Sequence, residues 1–345
     1  MKKCLRIAAM IVLGAFVSGC STSTVAAGLP EDARLKVRLE ALAAKIDGRL
    51  GACAVESNQR IACVGADQRF SLQSVMKLVV GAAAMDAVDR RGWRLDEQVV
   101  LRRENLSLHV QPLARIVREE GEFRTTIGDL IERAVAESDS AATDFLFDRL
   151  GGAEAIRAFL LRSGVGEELR IDRDERRLQT EITGVTWVPE FVDPGKLQAA
   201  REKLSEAQKR SAFAAYLADE RDTATPRAMV TFLNSLAQGE ILSATSTDHF
   251  LGVMKRTRTF PTRLRAGAPQ DWTMAHKTGT SDDFEGVNGV TNDVGIMIIP
   301  DGRIIAIAVF LGQSRASSSE RDAAIAAVAR EVGKMWSGDS PPVQR

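Results

Sequence analysis

At 345 residues the chain is long enough for two packed lobes or for one large domain with a bipartite core. Hydrophobic residues at 45% and charged residues at 27% exclude a disordered or fibrous protein. Lys plus Arg and Asp plus Glu balance at 46 each, which leaves no electrostatic footprint for nucleic acid and suits a small neutral or anionic ligand.

The first twenty residues read as a targeting segment: Lys2, Lys3 and Arg6 precede an apolar run, Ile7 to Val17, that is too short to span a bilayer. Val17-Ser18-Gly19-Cys20 resembles a bacterial lipoprotein signal, which implies a lipid on Cys20; ordinary cleavage near Ala27, after Val25-Ala26-Ala27, is the alternative. Either route exports the chain, and the expected place is the periplasm, with membrane contact only through an anchor on Cys20. Residues 31–48 then pattern as an amphipathic helix with Leu35, Leu39, Leu42 and Ile46 on one stripe. Two short strands, about 50–56 and 60–65, flank the turn Glu56-Ser57-Asn58-Gln59. If that hairpin centres on Asn58, Cys53 and Cys63 lie opposite each other, near enough for a disulfide in an oxidising space; two buried free thiols are the alternative.

Ser74-Val75-Met76-Lys77 sets a hydroxyl and an amine three residues apart, so on a helix starting at Ser74 both project from one face of the first turn. The helix N-terminus favours negative charge developing on the serine oxygen, and a lysine with a lowered pKa can take the hydroxyl proton. Alone, the tetrad reads equally well as a solvated helix face. Ser138-Asp139-Ser140 opens the helical run Ala141 to Leu150, where Ser138 or Asp139 would also serve as a plain N-cap. Thr180 to Ala218, with Trp187-Val188-Pro189-Glu190-Phe191 and a helical run from Leu197 to Leu217, reads as an elaborated loop carrying its own helix. Trp272 to Thr280 reads as a strand ending in Lys277-Thr278-Gly279-Thr280, where the glycine admits a substrate backbone and the lysine sets a cation beside the serines. Apolar runs Asp293–Ile299 and Arg303–Leu311 form a hairpin about Pro300-Asp301-Gly302, and a last helix starts near Ser319-Glu320.

The two ends thus supply strands and helices while the middle is mostly helical. The expected fold is an α/β sandwich: an antiparallel sheet flanked by helices from both termini (30–66 and 255–338), an inserted all-α lobe (67–254) with an enlarged loop at about 172–222, and the active site in the cleft between them. The three histidines, His109, His249 and His276, form no ligand-spaced cluster, so no metal or cofactor is expected.

Taken in order, the three motifs supply a hydroxyl nucleophile, a nearby lysine, a second hydroxyl and a second cation, the inventory for serine-based acyl transfer. They resemble the signature of penicillin-binding proteins and class A β-lactamases. Arg170-Ile171-Asp172-Arg173-Asp174-Glu175-Arg176-Arg177-Leu178-Gln179 is similar to the loop that class A β-lactamases place under the active site. On that resemblance Glu175 activates the hydrolytic water, Gln179 stands at the family's usual asparagine, and Asp222, at the far end of an enlarged loop, pairs with Arg173. Ser140 also replaces a usual asparagine, and Arg263 matches an arginine that some subgroups use to hold the substrate carboxylate.

The resemblance implies a β-lactamase acting on small β-lactams; a monomer is expected. Ser74 attacks the lactam carbonyl, with Lys77, or Glu175 through a water, as base, and the N–H groups of Ser74 and Thr280 form the oxyanion hole. Ser138 passes a proton to the ring nitrogen with Lys277 beside it, and Thr278, Thr280 and Arg263 bind the carboxylate. Glu175 and Gln179 then direct water onto the acyl-enzyme. The alternatives are a D,D-peptidase-like protein with slow turnover, and a non-catalytic lipid-anchored binder using Leu197, Leu204, Phe213 and Leu217 as a docking face.

Overall fold

The computed structural model describes residues 29–337, so the expected targeting segment and Cys20 lie outside the described residues. Five strands build the main sheet: β1 (Arg49–Glu56), β2 (Arg60–Val64), β7 (Thr273–Thr280), β9 (Val287–Ile298) and β10 (Ile304–Ser314), in the order β2-β1-β10-β9-β7. A short sixth strand, β8 (Asp283–Phe284), pairs with β9, and every pairing is antiparallel. Both faces are covered, so period-two alternation sorts side chains into two cores. Leu50, Ala52 and Ala54 with Ile305, Ile307 and Val309 meet the terminal helices, Ala33–Ala43 and Ser318–Trp336. Cys53 and Val55 with Ala306, Ala308 and Phe310 meet the helical lobe.

Asp32 ties the terminal helices together. Its carboxylate caps the first helix, accepting from the N–H of Arg34 and Leu35 at 3.1 and 3.0 Å, and accepts the Trp336 indole N–H at 2.9 Å. That helix ends at Ala43, short of the expected residue 48, and Gly48 at φ +125° turns the chain into β1. Cys53 and Cys63 are direct cross-strand partners and form a disulfide.

The inserted lobe is mainly helical, yet it is not all-α as expected. β4 (Gln98–Arg102) and β5 (Glu122–Thr126) form a two-stranded ladder because Val99 and Leu101 alternate with solvent-facing neighbours. β3 (Phe70–Ser71) and β6 (Thr223–Ala224) form another. The expected single helix from Leu197 to Leu217 is two, Pro194–Glu202 and Glu206–Ala218. Ser205 starts the second through a reciprocal cap with Gln208. Arg173 closes the neck of this insert, reaching Asp222 and Glu181 at 2.6 Å and Asp219 at 3.0 Å. Phe213 packs on Phe284 at 5.2 Å instead of presenting a free docking face. Among the described residues no helix is long and apolar enough to cross a membrane.

Candidate active site

The nucleophile turn starts one residue earlier than expected, as a 3₁₀ turn Gln73–Val75 that continues into the helix Met76–Arg91. Ser74 faces a cleft of about 300 Å³. Lys77, one turn on and fully buried, donates to the Ser138 carbonyl at 2.7 Å and to Ser140 Oγ at 3.0 Å. Asp139, not Ser138, caps the helix Ser140–Leu150, which frees the Ser138 hydroxyl for the cleft. Ser138 holds a left-handed backbone at φ +61°, a conformation that a non-glycine residue keeps only where its surroundings impose it. Its Oγ lies 3.4 Å from Lys77 Nζ and accepts from Lys277 Nζ at 3.0 Å. Lys277 is buried too, and that burial, with the Lys77 charge beside it, holds its pKa well below the ordinary lysine value.

β7 is the end strand of the sheet and faces the helical lobe. Ser281 N–H donates to Val290 O at 3.0 Å, so in this antiparallel ladder residues 281, 279 and 277 bond to β9 while 280 and 278 turn their N–H and C=O groups outward. The N–H of Thr280 thus points toward Ser74 across the cleft. Gly279 serves a purpose different from the expected one. A Cβ there would lie 2.6 Å from Leu72 O and 3.1 Å from Val75 N, so the missing side chain lets the strand abut the nucleophile turn rather than a substrate.

Glu175 begins the helix Glu175–Glu181 behind the cleft, buried, with its N–H on Asp144 at 2.8 Å. Gln179 follows four residues later on the same face and donates through Nε2 to Glu175 Oε2 at 3.2 Å. Glu175 Oε1 has no hydrogen-bond donor among protein groups and stands 3.4 Å from Lys77 Nζ. Asp144 is pushed up to about 8 by burial and the nearby Asp174 carboxylate, and it also accepts from Ser107 Oγ at 2.6 Å. The floor of the cleft holds one buried carboxylate oxygen, Oε1, that accepts no protein hydrogen bond and lies beside the Lys77 ammonium.

Known proteins resemble this chain along most of its length. The β-lactamase enzyme family matches residues 34–336. The chain belongs to the class A β-lactamases of that family. The β-lactamase SME-1 of Serratia marcescens is 27% identical over 295 residues, spanning 85% of this chain and 86% of the relative. The β-lactamase CTX-M-97 of Escherichia coli is 27% identical over 297 residues, with 86% and 87% covered. The class A β-lactamase of the last common ancestor of Gram-negative bacteria superposes with a TM-score of 0.69 at 30% identity, over 88% of this chain and 100% of that one.

Set beside other class A β-lactamases, the departures acquire a geometry. Ser140, at a usual asparagine, accepts from Lys77. Gln179 uses its extra methylene to reach Gln73 Oε1 at 3.0 Å as well as Glu175. Arg263 was expected to hold a carboxylate directly, and its placement corrects that. It is buried behind β7, bonded to Asp322 at 2.7 Å and to the Asn292 carbonyl at 2.9 Å, and meets the cleft residues by donating to Thr280 Oγ1 at 2.9 Å and by stacking on the Phe260 ring at 3.9 Å. Thr278 Oγ1 is shared with Thr259 at 2.7 Å. Sequence reasoning missed Gln73, Tyr216, Asp144, Thr259 and the cleft residues His109 and Phe260. Gln73 adjoins the nucleophile and Tyr216 is the only tyrosine of the chain, the two signals available in advance.

Proposed function

We propose that this β-lactamase hydrolyses β-lactams through an acyl-enzyme on Ser74. The observation that carries the reading is the Glu175 carboxylate, buried under the cleft between Lys77 at Oε1 and Gln179 at Oε2. Ser74 Oγ adds to the lactam carbonyl as its proton passes to the Lys77–Glu175 pair, and the Ser74 and Thr280 N–H groups stabilise the oxyanion. The C–N bond then breaks, and Ser138 protonates the departing nitrogen, resupplied from the lysines on either side of its hydroxyl. Thr278 and Thr280 bind the substrate carboxylate next to Lys277, with Arg263 fixing the Thr280 hydroxyl from behind. Glu175 takes a proton from a water that Gln179 orients, the hydroxide adds to the ester carbonyl, and the C–O bond breaks as that proton returns through the Glu175–Lys77 pair to Ser74 Oγ.

Turnover of nitrocefin tests this. Many cycles per enzyme are expected, and Glu175→Ala should stop after one, leaving a covalent adduct visible by mass. A single stoichiometric burst from the unaltered enzyme would instead mark a D,D-peptidase-like protein. The same proposal places the protein in the periplasm as a monomer, anchored by a lipid on Cys20; Cys20→Ser should move it from the membrane fraction to the soluble one.

A further inference from the structure

The insert reaches the catalytic machinery through two side chains: Arg201 donates to the Gln179 carbonyl at 3.2 Å, and Tyr216 reaches the side-chain amides. Of the helix Glu206–Ala218 only Tyr216 is buried. Its ring fills a notch that exists because position 289 is glycine, where a Cβ would come within 2.6 Å of the ring. The Tyr216 hydroxyl accepts from Gln73 Nε2 at 2.8 Å, which turns Gln73 Oε1 toward Gln179. Gln179 Nε2 then donates to both Gln73 Oε1 and Glu175 Oε2. With its two N–H groups committed, the Gln179 amide has only its oxygen left, an acceptor for water beside Glu175.

The orientation is mutually determined. If the Gln73 amide turned over, two NH₂ groups would face each other, and a Gln179 turned over in response would set its oxygen against the Glu175 carboxylate. Gln73 moreover holds φ +47° immediately before Ser74, a strained backbone that needs its surroundings to fix it. We propose that Tyr216 is a positioning residue for deacylation. The acceptor-only Glu175 carboxylate dictates which way the two amides face, and Tyr216, from the insert, anchors the Gln73 amide in place, which holds Gln179 and keeps its oxygen and Glu175 on the hydrolytic water. This rests on Glu175 being the base that removes the acyl group.

Stopped-flow and steady-state kinetics of the full-length enzyme with nitrocefin test it. In Tyr216→Phe, deacylation should slow about tenfold, because a misaligned water is penalised steeply. Acylation should slow far less. Acyl-enzyme then accumulates, and kcat and KM fall together with kcat/KM nearly constant, a split that a general structural defect would not give. Gln73→Met keeps the tyrosine ring anchored while severing the same link, and should give the same split. The double variant should deacylate no more slowly than the slower single one. A fall in kcat/KM in step with kcat, an unchanged deacylation rate, or additive slowing in the double variant would each overturn the proposal. Glu175→Ala separates the two levels: if it fails to trap the acyl-enzyme, reading and proposal fall together, and if it traps while Tyr216→Phe matches the unaltered enzyme, only the role of Tyr216 falls.

Discussion

Gly279 is where the sheet meets the nucleophile turn, and no other residue type fits. Gly279→Ala would drive a methyl against Leu72 O and Val75 N, both backbone atoms that cannot swing aside. The strand must retreat, carrying the Thr280 N–H and Lys277 away from Ser74. We expect kcat/KM for nitrocefin to fall about a hundredfold and unfolding free energy to drop by about 1–3 kcal/mol, read by steady-state kinetics and urea titration. At this scale the acylation residues were legible, because Ser74 and Lys77 are one helical turn apart and the other motifs are short. Gln73 and Tyr216 were not. Their partners lie 106 and 143 residues away along the chain, and a glutamine or tyrosine takes its role only from what the fold brings beside it.

Among the elements, the insert depends on its neck. Arg173 is buried against Asp222, which is itself fully buried, and it also serves Glu181 and Asp219. Arg221 shares Glu181 and Asp219 with it, at 3.1 and 2.8 Å, so Asp222 is the carboxylate that rests on Arg173. Arg173→Ala should lower unfolding free energy by about 3–5 kcal/mol, since it leaves Asp222 buried without its charge partner. Denaturant titration reads that loss, and a fall below about 1 kcal/mol would mean that water replaces the guanidinium. The resemblance made this pair visible beforehand. It did not reveal the break between the two insert helices: Lys203-Leu204-Ser205 carries neither glycine nor proline, and the break follows from Ser205 capping onto Gln208. The β4/β5 ladder was missed for a related reason, because five-residue strands give too short an alternation to stand out in a helical stretch.

For the whole molecule, acid stability is the property to examine. Burial alone would raise the Asp32 carboxyl, but the Trp336 indole, the N–H groups of the cap and Arg60 together hold it below the ordinary aspartate value. A depressed carboxylate contributes stability that is complete above the unfolded value near 3.9 and disappears as pH falls through the lower folded value. Unfolding free energy should therefore decline with acidity below about pH 4, and Asp32→Asn should flatten that decline; an unchanged slope would show that Asp32 is not part of it. The sheet and its covering helices were legible from apolar runs at both ends of the sequence. The two hairpin pairs, β1 with β2 and β9 with β10, were also legible from their turns, whereas the long-range pairings of β1 with β10 and of β7 with β9 carry no local signal. The pairing of β1 with β10 has a consequence for biogenesis: residues 49–56 wait for residues 304–314 before their ladder can close. With so much of the sheet joined at long range, folding is slow to begin, and the growing chain stays threadable until its final strands have been synthesised. The export proposed above would draw on that delay.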